Sequence, residues 1–122
     1  MRHFIFILAL APTLLFAQQK QILSAQEFKT KLNDKSAVVL DVRTADEFNE
    51  GHLDKAVNKN VHDKDFDTYT AKLDKSKTYL VYCLAGKRSH TAAVSMRKKG
   101  LTVFELEGGI ESWNGAKLPV VK

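Results

Sequence analysis

The sequence predicts an α/β fold with a largely parallel central sheet and helices on both faces. Short apolar, β-branched runs recur along the chain, at Val38–Val42, Tyr79–Tyr82 and Thr102–Leu106, and read as buried strands. Between them lie stretches at helical spacing, several introduced by recognisable caps. The connections are short, and strands that alternate with helices across short loops pair in parallel, with helices over both sheet faces. A length of 122 residues holds one domain with a core rather than two, and 44% hydrophobic with 27% charged residues is ordinary globular composition.

The first element is of another kind. Phe4–Phe16 reads FIFILALAPTLLF, preceded by Arg2 and followed by Ala17-Gln18-Gln19. Its thirteen or so residues fall short of the roughly 20 apolar residues of a membrane-spanning helix. They fit the apolar region of a signal peptide cleaved after Ala17, the alternative being an uncleaved N-terminal anchor. Residues 1–17 are therefore expected to be a leader and residues 18–122 a single exported domain, periplasmic or secreted. No stable membrane insertion is expected after cleavage, and the absence of a cysteine at the junction argues against a lipid anchor. Losing residues 1–17 removes one cation and leaves 18 against 14 acids, a net charge of +4. The lysines are interleaved with acids, and no basic run carries aromatic stacking partners, so nucleic acid is not an expected partner.

In the exported part, Ser24-Ala-Gln-Glu27 is a capping box, with Leu23 and Phe28 placed as a hydrophobic staple. Val38–Val42 is a strand closed by Asp41. Thr44-Ala-Asp-Glu47 repeats the capping box, and Gly51 ends that brief helix. Ala56–Val61 is a weaker strand, interrupted by Asn58, Lys59 and Asn60. Phe66, Tyr69 and Leu73 then give helical spacing. After the central segment, Thr102–Leu106 is a strand and Gly108-Gly109 leads into a turn holding Trp113.

The centre of the chain is Tyr79–Gly100. The strand Tyr79–Tyr82 stops at Cys83, the only cysteine. Leu84, Ala85, Gly86, Lys87 and Arg88 form a short loop, Ser89 is a natural N-cap, and His90–Lys99 reads as a helix closed by Gly100. A free thiol has a pKa near 8.5, so only about three per cent is thiolate at pH 7. Unpaired N–H groups at a helix start favour an anion, a glycine loop can curl more of them inward, and Lys87 and Arg88 add full charges. All of these lower a thiol pKa, and the same cradle binds a small oxyanion. The alternative is a buried structural cysteine, which explains neither the cations nor the glycine. In parallel sheets ligands gather at the carboxyl ends of strands, and Cys83 sits at one.

The pattern C-x-x-G-x-R-S between strand and helix resembles the active-site loop of single-domain rhodaneses. Val38–Leu53 (VVLDVRTADEFNEGHL) is similar to that family's first strand–helix element, and Leu106–Trp113 (LEGGIESW) to its closing glycine turn. Together these cover about Leu23 to Val120 in the family's order. One segment departs: after His52 the usual Pro/Gly-Ala turn is replaced by Leu53-Asp54-Lys55-Ala56-Val57. The resemblance implies a rhodanese-like fold and a sulfurtransferase that carries sulfane sulfur as a Cys83 persulfide. The donor it implies is thiosulfate or a related small sulfur anion, and the acceptor cyanide or a thiol. Cys83 is then the nucleophile, and the N–H groups of Leu84, Ala85, Gly86, Lys87, Arg88 and Ser89 cradle the persulfide or the oxyanion. Lys87 and Arg88 bind the donor and stabilise departing sulfite.

Asp41 and Arg43 end the first long strand and are candidates for the pocket rim, against a structural ion pair. His52 is expected to make structural hydrogen bonds, and His90 to be at most a modulator of the loop. No cofactor is expected. The four histidines lack ligand spacing, and one cysteine assembles no zinc site, so no metal is expected either. Two rival functions remain. A phosphatase or arsenate-type enzyme also closes a cysteine cradle with an arginine, but its loop has five intervening residues where Cys83 and Arg88 have four. A non-catalytic binding or sulfur-delivery module of the same fold would need neither the cysteine nor the glycine and cations.

Overall fold

Ile22–Leu23 (β1) opens the sheet and runs straight into Ala25–Lys31 (α1), because Ser24 caps that helix in both directions. Its hydroxyl accepts from Glu27 N–H, and the Glu27 carboxylate accepts from Ser24 N–H. The structure is a computed structural model that describes residues 20–122, and the leader expected over residues 1–17 lies outside the described residues. There follow Ala37–Asp41 (β2), Ala45–Glu50 (α2), Val57–Asn58 (β3), Phe66–Ala71 (α3), Thr78–Tyr82 (β4), Lys87–Lys98 (α4), Thr102–Leu106 (β5) and Gly109–Gly115 (α5). The five strands form one sheet in the order β1-β5-β4-β2-β3, parallel at every pairing.

The period-2 alternation of β4 divides the core. Leu80 and Tyr82 face one side, where they meet Phe28 of α1 and Ile110 and Trp113 of α5. Tyr79, Val81 and then Cys83 face the other, against Phe66 of α3 and Ala92, Ala93 and Met96 of α4. Fully burying a side chain such as Leu80 or Val81 stabilises the fold by about 1.5–3 kcal/mol, so the central strand is the best-secured element. Cys83 thus leaves the sheet on the face that α4 covers.

Three boundaries differ from the sequence reading. β1 is a strand only because it pairs with Glu105 and Leu106, and two residues are too few to show a period. β3 is reduced to Val57–Asn58, a sheet edge that needs pairing on one side only. Most consequential, α4 begins at Lys87, so Ser89 is a buried first-turn residue and not the N-cap. Gly86 is the N-cap, in left-handed conformation at φ 110°, where no side-chain cap bond is made. The other end is as expected: Gly100 N–H donates to Arg97 O and Leu101 N–H to Met96 O, a Schellman closure. Among the described residues no helix is long and apolar enough to cross a membrane.

Candidate active site

β2 and β4 run in register, Asp41 beside Tyr82, so the segments that leave their carboxyl ends emerge side by side. Cys83 is 1% exposed, and its sulfur faces the start of α4. Gly86 N–H donates to Sγ at 3.1 Å. Ser89 Oγ lies 3.3 Å from Sγ and 3.2 Å from Gly86 O. With a thiol, S–H donates to the hydroxyl, which donates onward to Gly86 O. With a thiolate, the same O–H turns to the sulfur. Burial pushes the thiol up and is the largest single influence. The Ser89 hydroxyl and the N–H groups of Ser89, Gly86 and Ala85 together outweigh it, so the pKa lies below the ordinary thiol value.

The loop owes its inward-facing N–H groups to α5. Ile110 N–H donates to Cys83 O at 2.9 Å and Glu111 N–H to Leu84 O at 3.1 Å. With the Leu84 carbonyl held by α5, the Ala85 N–H of the same peptide is turned toward the sulfur, followed by Gly86 N–H. Gly109 makes the approach possible, because at φ 63° it sits where a Cβ would overlap the Leu84 carbonyl. The sequence showed this glycine as a turn residue, and only the tertiary packing shows what it touches.

The expected cations take different places. Lys87 is exposed and has no ion pair among the described residues. Arg88 does not stand open to an anion: its Nη1 and Nη2 donate to Glu47 Oε1 and Oε2 at 2.8 and 2.9 Å. Arg88 is pushed above the ordinary arginine value, first by its hydrogen bonds to Glu47, and the charge of Cys83 adds to this. Glu47 is held at about 2, chiefly by Arg88 and further by the amide and hydroxyl of Thr44, despite partial burial. This pairing contributes stability that is full above about pH 4.5 and lost as pH falls toward 2. Glu47 was legible in the sequence as a capping residue, which it is. Its second role depends on a residue 41 positions away.

Asp41 and Arg43 resolve as a buried structural pair. Arg43 Nη2 donates to Asp41 Oδ2 at 2.7 Å, Nε donates to both oxygens, and the Arg43 N–H donates to Oδ1 at 2.9 Å. Nη2 also donates to Gly51 O. Burial opposes the Arg43 charge, but the bonds to Asp41 hold it above the usual arginine range. Arg43 still touches a cleft of about 220 Å³ beside the loop, with Glu47, Glu50, Leu84, Ile110 and Val120 among the residues around it. His52 is structural, stacked on Phe48, with Nδ1 2.9 Å from Phe48 O. His90 Nδ1 lies 2.9 Å from Glu105 Oε1, a carboxylate that Arg97 also holds, in a cleft shared with Ala85 and Gly86 of the loop. Among the described residues no cluster fit to hold a metal ion is present.

Comparison with known proteins agrees with this geometry. The sequence profile of the Rhodanese-like domain matches residues 24–116. Thiosulfate sulfurtransferase GlpE of Shewanella oneidensis is 30% identical over 95 residues, which cover 77% of this chain and 92% of that protein. The tRNA uridine(34) hydroxylase of Pelagibacter ubique is 40% identical over 81 residues, 65% of this chain, but the chain spans only 27% of that longer protein. Among solved structures, a rhodanese-related protein from Thermoplasma volcanium superposes with a TM-score of 0.75 at 30% identity, covering 83% of this chain and 97% of the other.

Proposed function

Since the chain belongs to the rhodanese-like family, we propose that it is a sulfurtransferase working through a persulfide on Cys83. The observation that carries the reading is the cradle: a buried sulfur held by Gly86 N–H and Ser89 Oγ at the start of α4. The Cys83 thiolate attacks the outer sulfur of thiosulfate or a related donor. A bond forms between that sulfur and Sγ, and the bond to the donor breaks with its electron pair leaving on sulfite or a thiolate. The loop amides that stabilised the thiolate then face the persulfide, preorganised and without reorganisation cost. Cyanide or a thiol removes the outer sulfur, and Cys83 returns as a thiolate, in a two-step exchange.

The paired Arg88 favours this over phosphoryl chemistry. An arginine bonded at both Nη atoms to Glu47 is not closed over the cysteine as a phosphate clamp. The reading includes export of the domain, which rests on the apolar stretch Phe4–Phe16 alone.

The test is intact mass spectrometry of the protein after thiosulfate or a small-molecule persulfide, then after cyanide. A gain of one sulfur atom, reversed by cyanide and absent from Cys83→Ser, is expected. An unmodified parent protein with both donors would overturn the reading.

A further inference from the structure

The donors open to such a site differ in charge. Thiosulfate arrives as a dianion and releases sulfite, also a dianion. A persulfide of a thiol arrives neutral or singly charged, with a carbon body behind its sulfurs. A site for the dianion needs uncommitted cations at its rim, whereas one for the thiol persulfide needs apolar surface and little net charge.

The rim of this site is of the second kind. Each arginine beside the loop is matched: Arg43 by Asp41, and Arg88 by Glu47. The cleft beside Leu84 carries Arg43, Glu47 and Glu50, so acids outnumber cations on its wall. Leu84 and Val120, 39% and 40% exposed, give the same cleft apolar surface. Lys87 alone among the loop cations lacks a carboxylate partner among the described residues, and it is solvated. A like charge near an anionic ligand costs several-fold in affinity even at the high effective dielectric of a surface site.

We propose that Glu47 selects the sulfur donor: by holding the Arg88 guanidinium in a two-point ion pair on an acid-lined cleft, it turns the site from thiosulfate toward low-charge thiol persulfides. This rests on the sulfurtransferase reading and narrows it. The step balances without an oxidant. The Cys83 thiolate attacks the outer sulfur of R–S–SH, and the bond between the donor sulfurs breaks onto R–S⁻. Cys83–S–SH retains the outer sulfur and its proton.

Glu47→Gln is the discriminating variant, because a Gln oxygen can still accept from Thr44 N–H and keep the α2 cap while the charge is removed. Single-turnover sulfuration of Cys83 would be followed by intact mass, with thiosulfate and with the persulfide of 2-mercaptoethanol, whose body is uncharged, as the two donors. The parent should react faster with the persulfide. The thiosulfate-to-persulfide rate ratio should rise about tenfold in Glu47→Gln as Arg88 becomes available to the dianion. Glu50→Gln, on the exposed side of the cleft and outside the cap, should raise the same ratio about twofold and keeps the test open should the first variant unfold. A parent that prefers thiosulfate, or ratios that stay level or fall in the variants, would overturn the selection by Glu47 and leave the sulfurtransferase reading standing. A parent sulfurated by neither donor would overturn both.

Discussion

Asp41 and Cys83 sit at the ends of neighbouring strands, nearly level, and both are buried, at 0% and 1% exposure. Each can be an anion where water cannot reach it. Asp41 is met by a full opposite charge: the Arg43 fork and its backbone N–H surround the carboxylate. Cys83 is met directly by dipoles, the loop amides and a hydroxyl that can point either way, and the Arg88 charge reaches it without a direct bond. An ion pair in a dry interior is fixed, since removing either member strands the other. A thiolate held by dipoles has no counter-charge bonded to it, so its electron pair can go to an incoming sulfur and return afterwards. The carboxyl end of the sheet thus holds one anion as structure and, on the proposed function, offers another as a nucleophile, and the difference lies in whether the group in direct contact carries a charge.

That contrast can be broken at either end. Cys83→Ser removes the nucleophile and keeps the cradle, so sulfur transfer to cyanide should fall below detection. The melting temperature should move little, since the two side chains are nearly isosteric, and a large fall would show the thiol to be a core element. Asp41→Ala should do the reverse. Leaving Arg43 buried without its partner should cost about 3–5 kcal/mol by urea unfolding. A loss under about 1 kcal/mol would mean that the guanidinium finds water, and that the pair is not the fixed anchor described here.

Gly109→Ala tests whether α5 shapes the cradle. Its Cβ would overlap the Leu84 carbonyl, so the loop must shift and the amides lose their aim. Sulfur transfer should drop about a hundredfold to a thousandfold, an effect of the size seen when one preorganised donor is lost, with far-ultraviolet circular dichroism unchanged. Full activity in a folded variant would show the loop to be self-supporting.

Ser89→Ala sharpens the dipole side. Removing the hydroxyl takes away one of the influences that hold the thiol below its ordinary value. The midpoint of alkylation rate against pH should therefore rise, by about one unit if one hydrogen bond worth ~1.5 kcal/mol is lost. In the parent the midpoint should lie below about 8.5. The sign follows from a depressed folded pKa: the thiolate's contribution is present above the unfolded value and is lost as pH falls through the folded one. A parent midpoint at or above that free-thiol value would remove the activated nucleophile. The smallest effect belongs to Lys87→Ala, whose exposed ammonium should change stability by no more than about 0.5 kcal/mol and sulfur transfer by less than about threefold.

Much of this was written along the chain, because it depends on neighbours in sequence. Both capping boxes, the Gly100 closure, the buried strand Tyr79–Tyr82 and the thiol at a strand-to-helix junction follow from spacings of one to six residues, and local backbone geometry converts such spacings directly into structure. The start of α4 departs from that local expectation. Ser89 has good cap chemistry, but Gly86 can take the left-handed turn that the strand exit requires, and the hydroxyl went to the sulfur instead. What only the tertiary structure decided is where charges meet. Arg88 and Glu47 are 41 residues apart, Cys83 O and Ile110 N–H are joined across two elements, and Ile22–Leu23 becomes a strand only beside β5. The residue types at these places announce a charge, a turn or an apolar pair. Coulombic and hydrogen-bond energies depend on distance in space, so a cation read from sequence as a ligand for an anion could already be another residue's partner, and in Arg88 it is.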